Sequence, residues 1–245
     1  MNNDIIYGRN PVIEALQSER TIDKIIIQDG LHHSQIGKIK ALASERHISC
    51  RYVDKRRLDT ICDGENHQGV VAYSAAHKYA ELSDIIKSAK ESDTPAFLII
   101  TDGICDPHNL GSIIRSADSA GAHGVIIPKD RNVTLNSVVA KVAAGSVEHI
   151  PVARVTNISQ TIEKLKKEGI WVIGTTLDAE GYCYSSDLTV PLALVIGSEE
   201  SGISQNVRKH CDFSVKLPML GKSESLNASV AAGILMYEVV RQRLD

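Results

Sequence analysis

The sequence predicts an α/β protein: a small α/β unit at the front of the chain, then a larger one built on a largely parallel sheet. Three observations predict it. The 245-residue chain is 43% hydrophobic but only 4% aromatic, and its apolar residues are mostly Ile, Val, Leu and Ala, a composition that suits buried α/β layers. Short apolar runs of strand length alternate with helix-period segments, and from Pro95 the rhythm is regular. A polar, charged stretch over residues 77–94, with an amphipathic piece around Leu82, Ile85 and Ile86, separates the two halves. The expected domains are therefore 1–76 and 95–245, joined by a partly helical linker at 77–94.

In the first domain Asn10 is placed to cap a helix that begins with Pro11 and carries Val12, Ile13, Ala15 and Leu16. KIIIQ (24–28) is a buried strand. A helix from about Ser34 to Arg46 follows, with Ile36, Ile39, Leu42 and Ala43 on one face. CRYV (50–53) is a strand, DKRRLDTI (54–61) a short helix and GVVAYS (69–74) another strand. In the second domain the strands are AFLIITD (96–102), GVIIP (124–128), a piece near 149–153, WVIGTT (171–176), LALVIG (192–197) and the shorter SVKLP (214–218). Helices are expected at about 110–120, around Val138, Val139, Val142 and Ala143, at 158–168 and at 227–244. Strands alternating with helices in this way give a mainly parallel sheet covered on both faces.

Composition narrows the function. No apolar run reaches the roughly 18–20 residues needed to span a bilayer, and the start MNNDIIYGRN has no secretory pattern. The five cysteines, Cys50, Cys62, Cys105, Cys183 and Cys211, are odd in number and form no C-x-x-C pair, which reads as reduced cytoplasmic thiols without a metal site. The net charge of −3 argues against bulk electrostatic attraction to nucleic acid, so any such binding must be local. Lys38, Lys40, Arg46, Arg51, Lys55, Arg56 and Arg57 form one candidate patch, for which a solvated helix face is the plainer explanation. No two glycines lie two positions apart, which excludes G-x-G-x-x-G, and no Walker spacing, H-E-x-x-H or G-x-S-x-G occurs.

Ligands in such sheets gather at the carboxyl ends of strands, and three loops there are chemically dense. DPHNLGSIIRSADSAG (106–121) holds Asn109 and Arg115, read as nearly two turns apart on nearly the same side of a helix. IGSEESGIS (196–204) puts backbone N–H groups and a carboxylate at a strand end. LPMLGKSESLNASVAAG (217–233) places Ser225 and Asn227 before a helix start rich in small residues. Each has a plain alternative, an N-cap or a capping turn.

Together, N-L-G-S-I-I-R-S-A, I-G-S-E-E-S-G-I and L-P-M-L-G-K-S-E-S-L-N-A-S resemble the three motifs of the SpoU (TrmH) family of RNA ribose 2′-O-methyltransferases. IIYGRNPVIEAL and NHQGVVA resemble the substrate-binding domain of the subgroup that includes the bacterial 23S rRNA guanosine 2′-O-methyltransferase. The resemblance implies a SPOUT-type domain with a deep trefoil knot, a bent S-adenosylmethionine as cofactor with no metal, RNA as partner, and a homodimer through the last helix near Ala228, Ala231, Ala232 and Gly233. Arg115 would activate the 2′-hydroxyl, Asn109 would orient Arg115 or the substrate, and Glu199 would position the arginine. Ser225 and Asn227 would sit beside the methionine end of the cofactor and the substrate phosphate. Thr175, Leu177, Gly197, Leu217, Met219 and Leu226 would hold the cofactor with them, and Lys55, Arg56 and Arg57 would bind RNA. In a dimer the arginine would serve the partner's cofactor.

Arginine is an awkward base, because deprotonating a free guanidinium at neutral pH costs roughly 7 kcal/mol. Either the site lowers its pKa, or Arg115 stays charged and stabilises the alkoxide while a phosphate or water takes the proton. Two other functions fit the resemblance: a tRNA guanosine 2′-O-methyltransferase, or a non-catalytic RNA-binding protein of ribosome assembly, which loss of Asn109, Arg115 or Glu199 would have signalled.

Overall fold

A computed structural model describes residues 5–18, 20–31 and 33–244; the chain ends, with the outer limits of both expected domains, lie outside them. Two compact units are present: Met1–Lys78 with Leu135–Ser137, and Tyr79–Thr134 with Val138–Asp245. Among the described residues no helix is long and apolar enough to cross a membrane.

The smaller unit runs β1 (Ile5–Tyr7), α1 (Arg9–Gln17), β2 (Ile22–Gln28), α2 (Ser34–Glu45), β3 (Ser49–Val53), α3 (Lys55–Cys62) and β4 (Val70–Ser74). Its sheet has the order β1-β4-β2-β3, with β2 and β3 parallel and the other pairs antiparallel. Val12 and Leu16 of α1 and Ile36 and Ile39 of α2 pack with Ile25, Ile27, Val70 and Ala72. The other sheet face is covered by Leu58 and Cys62 of α3, against Ile26 and Val71. Two expectations change here. Helix α1 starts ahead of Asn10: Gly8, at φ 88°, holds the N-cap position, and Asn10 accepts from the Gln35 side chain at 2.5 Å instead. Arg46 is not a surface cation, because its guanidinium donates to the carbonyls of Leu16, Ser18 and Arg20 at 2.8–3.1 Å and so ties off the end of α1.

The larger unit runs α4 (Leu82–Glu91), β5 (Phe97–Asp102), α5 (Pro107–Ser119), β6 (Gly124–Pro128), α6 (Ser137–Val142), β7 (Val152–Val155), α7 (Ile158–Lys167), β8 (Trp171–Thr175), β9 (Gly181–Tyr182), β10 (Leu192–Gly197), α8 (Gln205–His210), β11 (Phe213–Lys216) and α9 (Ala228–Leu244). Seven strands pair in the order β7-β6-β5-β10-β8-β11-β9, all parallel. Strands β5 and β10 are the continuous apolar runs that burial on both faces demands. Ile85 and Ile86 of α4, Ile162 and Leu165 of α7 and Val207 of α8 share one core with Leu98, Ile100, Ala193 and Val195. The segment 77–94 thus contributes a core-packed helix, while α5 and α9 pack on each other.

Central strands β5 and β10 pair from Phe97↔Leu192 to Asp102↔Gly197. The chain leaves β5 toward β6 on one side and leaves β10 toward β11 on the other. That reversal opens a crevice at the strands' carboxyl ends. Helix α9 begins at this crevice, and Arg243 fastens its far end by donating to the carbonyls of Pro95, Ala96 and Val190 at 2.8–3.2 Å.

Candidate active site

The loop after β10 shapes the crevice. Ser198 and Gly202 exchange two backbone hydrogen bonds at 3.2 and 2.9 Å, and the Ser198 and Ser201 hydroxyls meet at 2.8 Å. The turn folds back so tightly that a β-carbon on Gly197 would land on the backbone of Gly202 and Ile203, and Gly202 itself sits at φ 63°. The Ser204 N–H is held by the Asp102 carboxylate at 2.8 Å, which ties the loop to the end of β5.

Behind the turn lies a cavity of about 350 Å³, within the range of small-ligand sites. Its walls are apolar, from Ile196, Ile203, Val215, Leu217, Met219, Leu226 and Leu235, and its rim is polar, from Ser198, Glu199, Glu200 and Ser225. Thr175, Leu177, Gly197, Glu199, Leu217, Met219, Ser225 and Leu226 all line it. Thr176, Asp178, Arg208 and Lys216 line it too and were not singled out from sequence; their only signal was a place in or just after the strands and loops around the crevice. Arg208 donates to Asp178 at 2.7 Å and holds that carboxyl below the usual carboxylate range. Thr175 donates to the Val195 carbonyl at 2.8 Å, so its hydroxyl is committed to joining β8 and β10.

Beside the cavity three motif residues converge. Glu199 Oε1 accepts from Asn109 Nδ2 at 2.7 Å, from Asn227 Nδ2 at 2.7 Å and from the Ala228 N–H at 3.1 Å. Asn227 Nδ2 also donates to Asn109 Oδ1 at 2.9 Å, closing a triangle. The Asn227 oxygen meanwhile accepts from the N–H groups of Ser229 and Val230 and the hydroxyl of Ser229. Asn227 therefore caps α9 and joins the cluster with opposite ends of one amide. Asn109 is buried, and it does not cap α5; Asp106 does, accepting from the His108 N–H at 2.8 Å.

Arg115 stands apart. Six residues of α-helix turn through about 600°, which leaves Asn109 and Arg115 about 120° apart rather than on one side. Accordingly Asn109 is buried and Arg115 exposed, and among the described residues Arg115 makes no hydrogen bond or ion pair. The expected contact from Glu199 to Arg115 is not made within the chain; Oε1 of Glu199 accepts from the two asparagines and Ala228 instead. The small residues of α9 differ as well. Ala228 and Ala232 are buried and Ala231 lines the cavity, while the exposed stripe of this helix is Val230, Ile234 and Tyr237.

In the smaller unit Lys55, Arg56 and Arg57 occupy the first turn of α3, all exposed, behind the Asp54 cap that accepts from the Arg57 N–H at 2.8 Å. Cations in a first turn oppose the helix dipole, a cost of about 0.3–1 kcal/mol each.

Comparison with known proteins agrees with these features. The SpoU rRNA Methylase family model matches residues 96–237, and a model of RNA 2′-O ribose methyltransferase substrate binding matches residues 5–80. The chain is similar to the putative TrmH family tRNA/rRNA methyltransferase YacO of Bacillus subtilis, with 50% identity over 241 residues covering 98% of this chain and 96% of the relative. Among solved structures, the SpoU methyltransferase AviRb from Streptomyces viridochromogenes in complex with AdoMet aligns with a TM-score of 0.63 at 25% identity, over 98% of this chain and 90% of its own. An AdoMet-bound rRNA methyltransferase from Sinorhizobium meliloti aligns with a TM-score of 0.59 at 26% identity, over 99% and 88%.

Proposed function

Because the chain belongs to the SpoU rRNA methylase family, we propose that it methylates a ribose 2′-hydroxyl in structured RNA, a guanosine of 23S rRNA, in the cytoplasm. It is an S-adenosylmethionine-dependent RNA methyltransferase. The match of residues 5–80 to RNA 2′-O ribose methyltransferase substrate binding supports the ribose reading, and the observation that carries the reaction site is the Asn109–Glu199–Asn227 cluster built against a ligand-sized cavity. The cavity suits the cofactor: its apolar walls fit an adenine ring and alkyl arms, and Glu199 and Glu200 at the rim favour a sulfonium cation. When bound, S-adenosylmethionine supplies an electrophilic methyl group.

The chain's own residues do the rest. Gly197 and the turn after it, with Thr175, Leu177, Leu217, Met219 and Leu226, enclose the adenosyl part, and Ser225 and Asn227 meet the methionine end and the substrate phosphate. Asn109 and Glu199 fix the first turns of α5 and α9 with respect to each other and so set the mouth of the cavity. Arg115 acts on the 2′-hydroxyl. Its exposure supports a charged guanidinium that stabilises the developing alkoxide, with the proton leaving to a phosphate or water. It also supports service to a partner's cofactor: Arg115 lies on α5, which packs along α9, and the exposed Val230, Ile234 and Tyr237 of α9 suit burial against a second copy. A C2 homodimer through a knotted C-terminal region is part of this reading.

Lys55, Arg56 and Arg57 are proposed as the RNA-binding patch of the smaller unit, a role in which their unfavourable place on the helix dipole has a use. The test is labelled methyl transfer to 23S rRNA and to tRNA from a strain lacking the gene, with ribose methylation then mapped. Label in one 23S rRNA guanosine is expected. Label confined to tRNA would replace the substrate, and label in neither would remove the activity.

A further inference from the structure

We propose that the loop between β6 and α6 is an anchored phosphate-binding lip for the RNA substrate, with Arg131 as its principal contact and Lys129 beside it; this rests on the RNA methyltransferase reading above. The loop follows a strand of the same parallel sheet and leaves from the same carboxyl-end edge as the cavity. It is bound to the loop that leads into α5. The Asn132 side chain accepts from the Ile104 N–H at 2.9 Å and from the Thr101 hydroxyl at 3.3 Å, and the Val133 N–H donates to the Ile104 carbonyl at 2.8 Å. The Cys105 thiol reaches the Arg131 carbonyl at 3.7 Å, only four residues ahead of Asn109. At its start the loop is fixed by the Lys129 N–H on the Val155 carbonyl at 2.8 Å and by Arg154 donating to the Lys129 carbonyl at 3.1 Å.

Such anchoring of a short exposed loop needs a reason, and the backbone of Arg131 sharpens the question. Its φ is 55°, a left-handed conformation that costs a non-glycine residue free energy and that asparagine or glycine would adopt more readily. Packing does not repay that cost, since the Arg131 side chain is exposed and makes no hydrogen bond or ion pair among the described residues. Lys129 is exposed and uncommitted in the same way, while Asp130 between them already has a partner within the protein. A strained residue held by its surroundings is a sign of function, and this one follows the strand two places from β10 on the carboxyl-end side of the sheet where the cavity opens. In a chain of net charge −3, two uncommitted cations on the carboxyl-end edge of the sheet suit the phosphodiesters flanking the methylated nucleotide.

The substitution Arg131→Asn separates function from fold, because asparagine suits the left-handed backbone and lacks the charge. Binding of deproteinised 23S rRNA and of bulk tRNA is measured from about 50 to about 200 mM salt, alongside thermal melting and S-adenosylhomocysteine binding. The variant is expected to melt no lower than the parent and to bind S-adenosylhomocysteine unchanged. It should bind RNA about tenfold more weakly, with a salt slope reduced by about 0.7–0.9, the value of one phosphate contact. Arg131→Lys should keep the slope. A folded Arg131→Asn protein with parental RNA affinity and slope would overturn the lip while leaving the methyltransferase reading in place. A parent protein that binds neither RNA would overturn both.

Discussion

Asn109 and Arg115 share one helix and one sequence motif, yet the structure treats them in opposite ways. Asn109 is buried, with its amide nitrogen and oxygen both bonded to residues from the other two motif loops. Arg115 is exposed and, among the described residues, has no polar partner. Groups that shape the cavity are thus committed inside the chain, and the group proposed to act on the substrate is held uncommitted. The same contrast separates Arg46, spent on tying off a helix, from Lys55, Arg56 and Arg57, which are displayed in a first turn at an electrostatic cost.

The largest expected effect falls on the uncommitted side. Arg115→Ala should lower methyl transfer by about 10²–10³ and leave the melting temperature and cofactor affinity unchanged. If charge stabilisation alone matters, Arg115→Lys recovers part of that rate; if the planar fork matters, it behaves like alanine. Near-parental turnover of the alanine variant at saturating RNA and cofactor would return Arg115 to an ordinary surface role.

On the committed side Gly197→Ala should act through the cofactor. Its β-carbon would displace the backbone of Gly202 and Ile203, which closes the cavity turn. We expect S-adenosylhomocysteine binding, followed by calorimetry in excess chelator, to weaken by at least about tenfold, a loss of about 1.4 kcal/mol. Parental affinity would mean that the turn after β10 does not hold the ligand.

Glu199→Ala should register in stability as well as in rate, which would set it apart from Arg115→Ala. It leaves the Asn109 amide and the Ala228 N–H without their acceptor, a loss of about 1–3 kcal/mol in denaturant unfolding. A variant as stable as the parent would show that the cluster does not brace the site.

The smallest effect has the opposite sign. Replacing Lys55, Arg56 and Arg57 together by alanine removes cations from the positive end of α3. Unfolding free energy should rise by about 0.3–1 kcal/mol per residue at low salt, while RNA binding weakens. Undiminished RNA binding would leave these residues as a solvated helix face.

Much of this contrast was legible in the sequence. The buried runs of β5 and β10 identify themselves by length and β-branched content, and the three dense loops stand at strand ends where ligands collect. Other features were hidden for physical reasons. Strand β9 spans only Gly181–Tyr182, and α8 buries only Val207, too little for a period to register. The polar composition of 77–94 made the amphipathic piece around Leu82, Ile85 and Ile86 read as part of a linker, where Ile85, Ile86 and Ala89 are core residues. A spacing of six suggested one helix side for Asn109 and Arg115, where about 100° per residue puts them apart. The role of Arg46 depends on carbonyls at the end of α1 that lie 26–31 residues away in sequence. Nothing local in P-K-D-R-N announces a left-handed arginine.

The central claim is that the methyl group goes to a ribose oxygen. The most direct test incubates the protein with methyl-labelled S-adenosylmethionine and RNA from a strain lacking the gene, then hydrolyses the RNA in alkali. A 2′-O-methyl group blocks the attack that cleaves the neighbouring phosphodiester, so the account predicts label in alkali-resistant dinucleotides. Label released in mononucleotides would place the methyl on a base and contradict it.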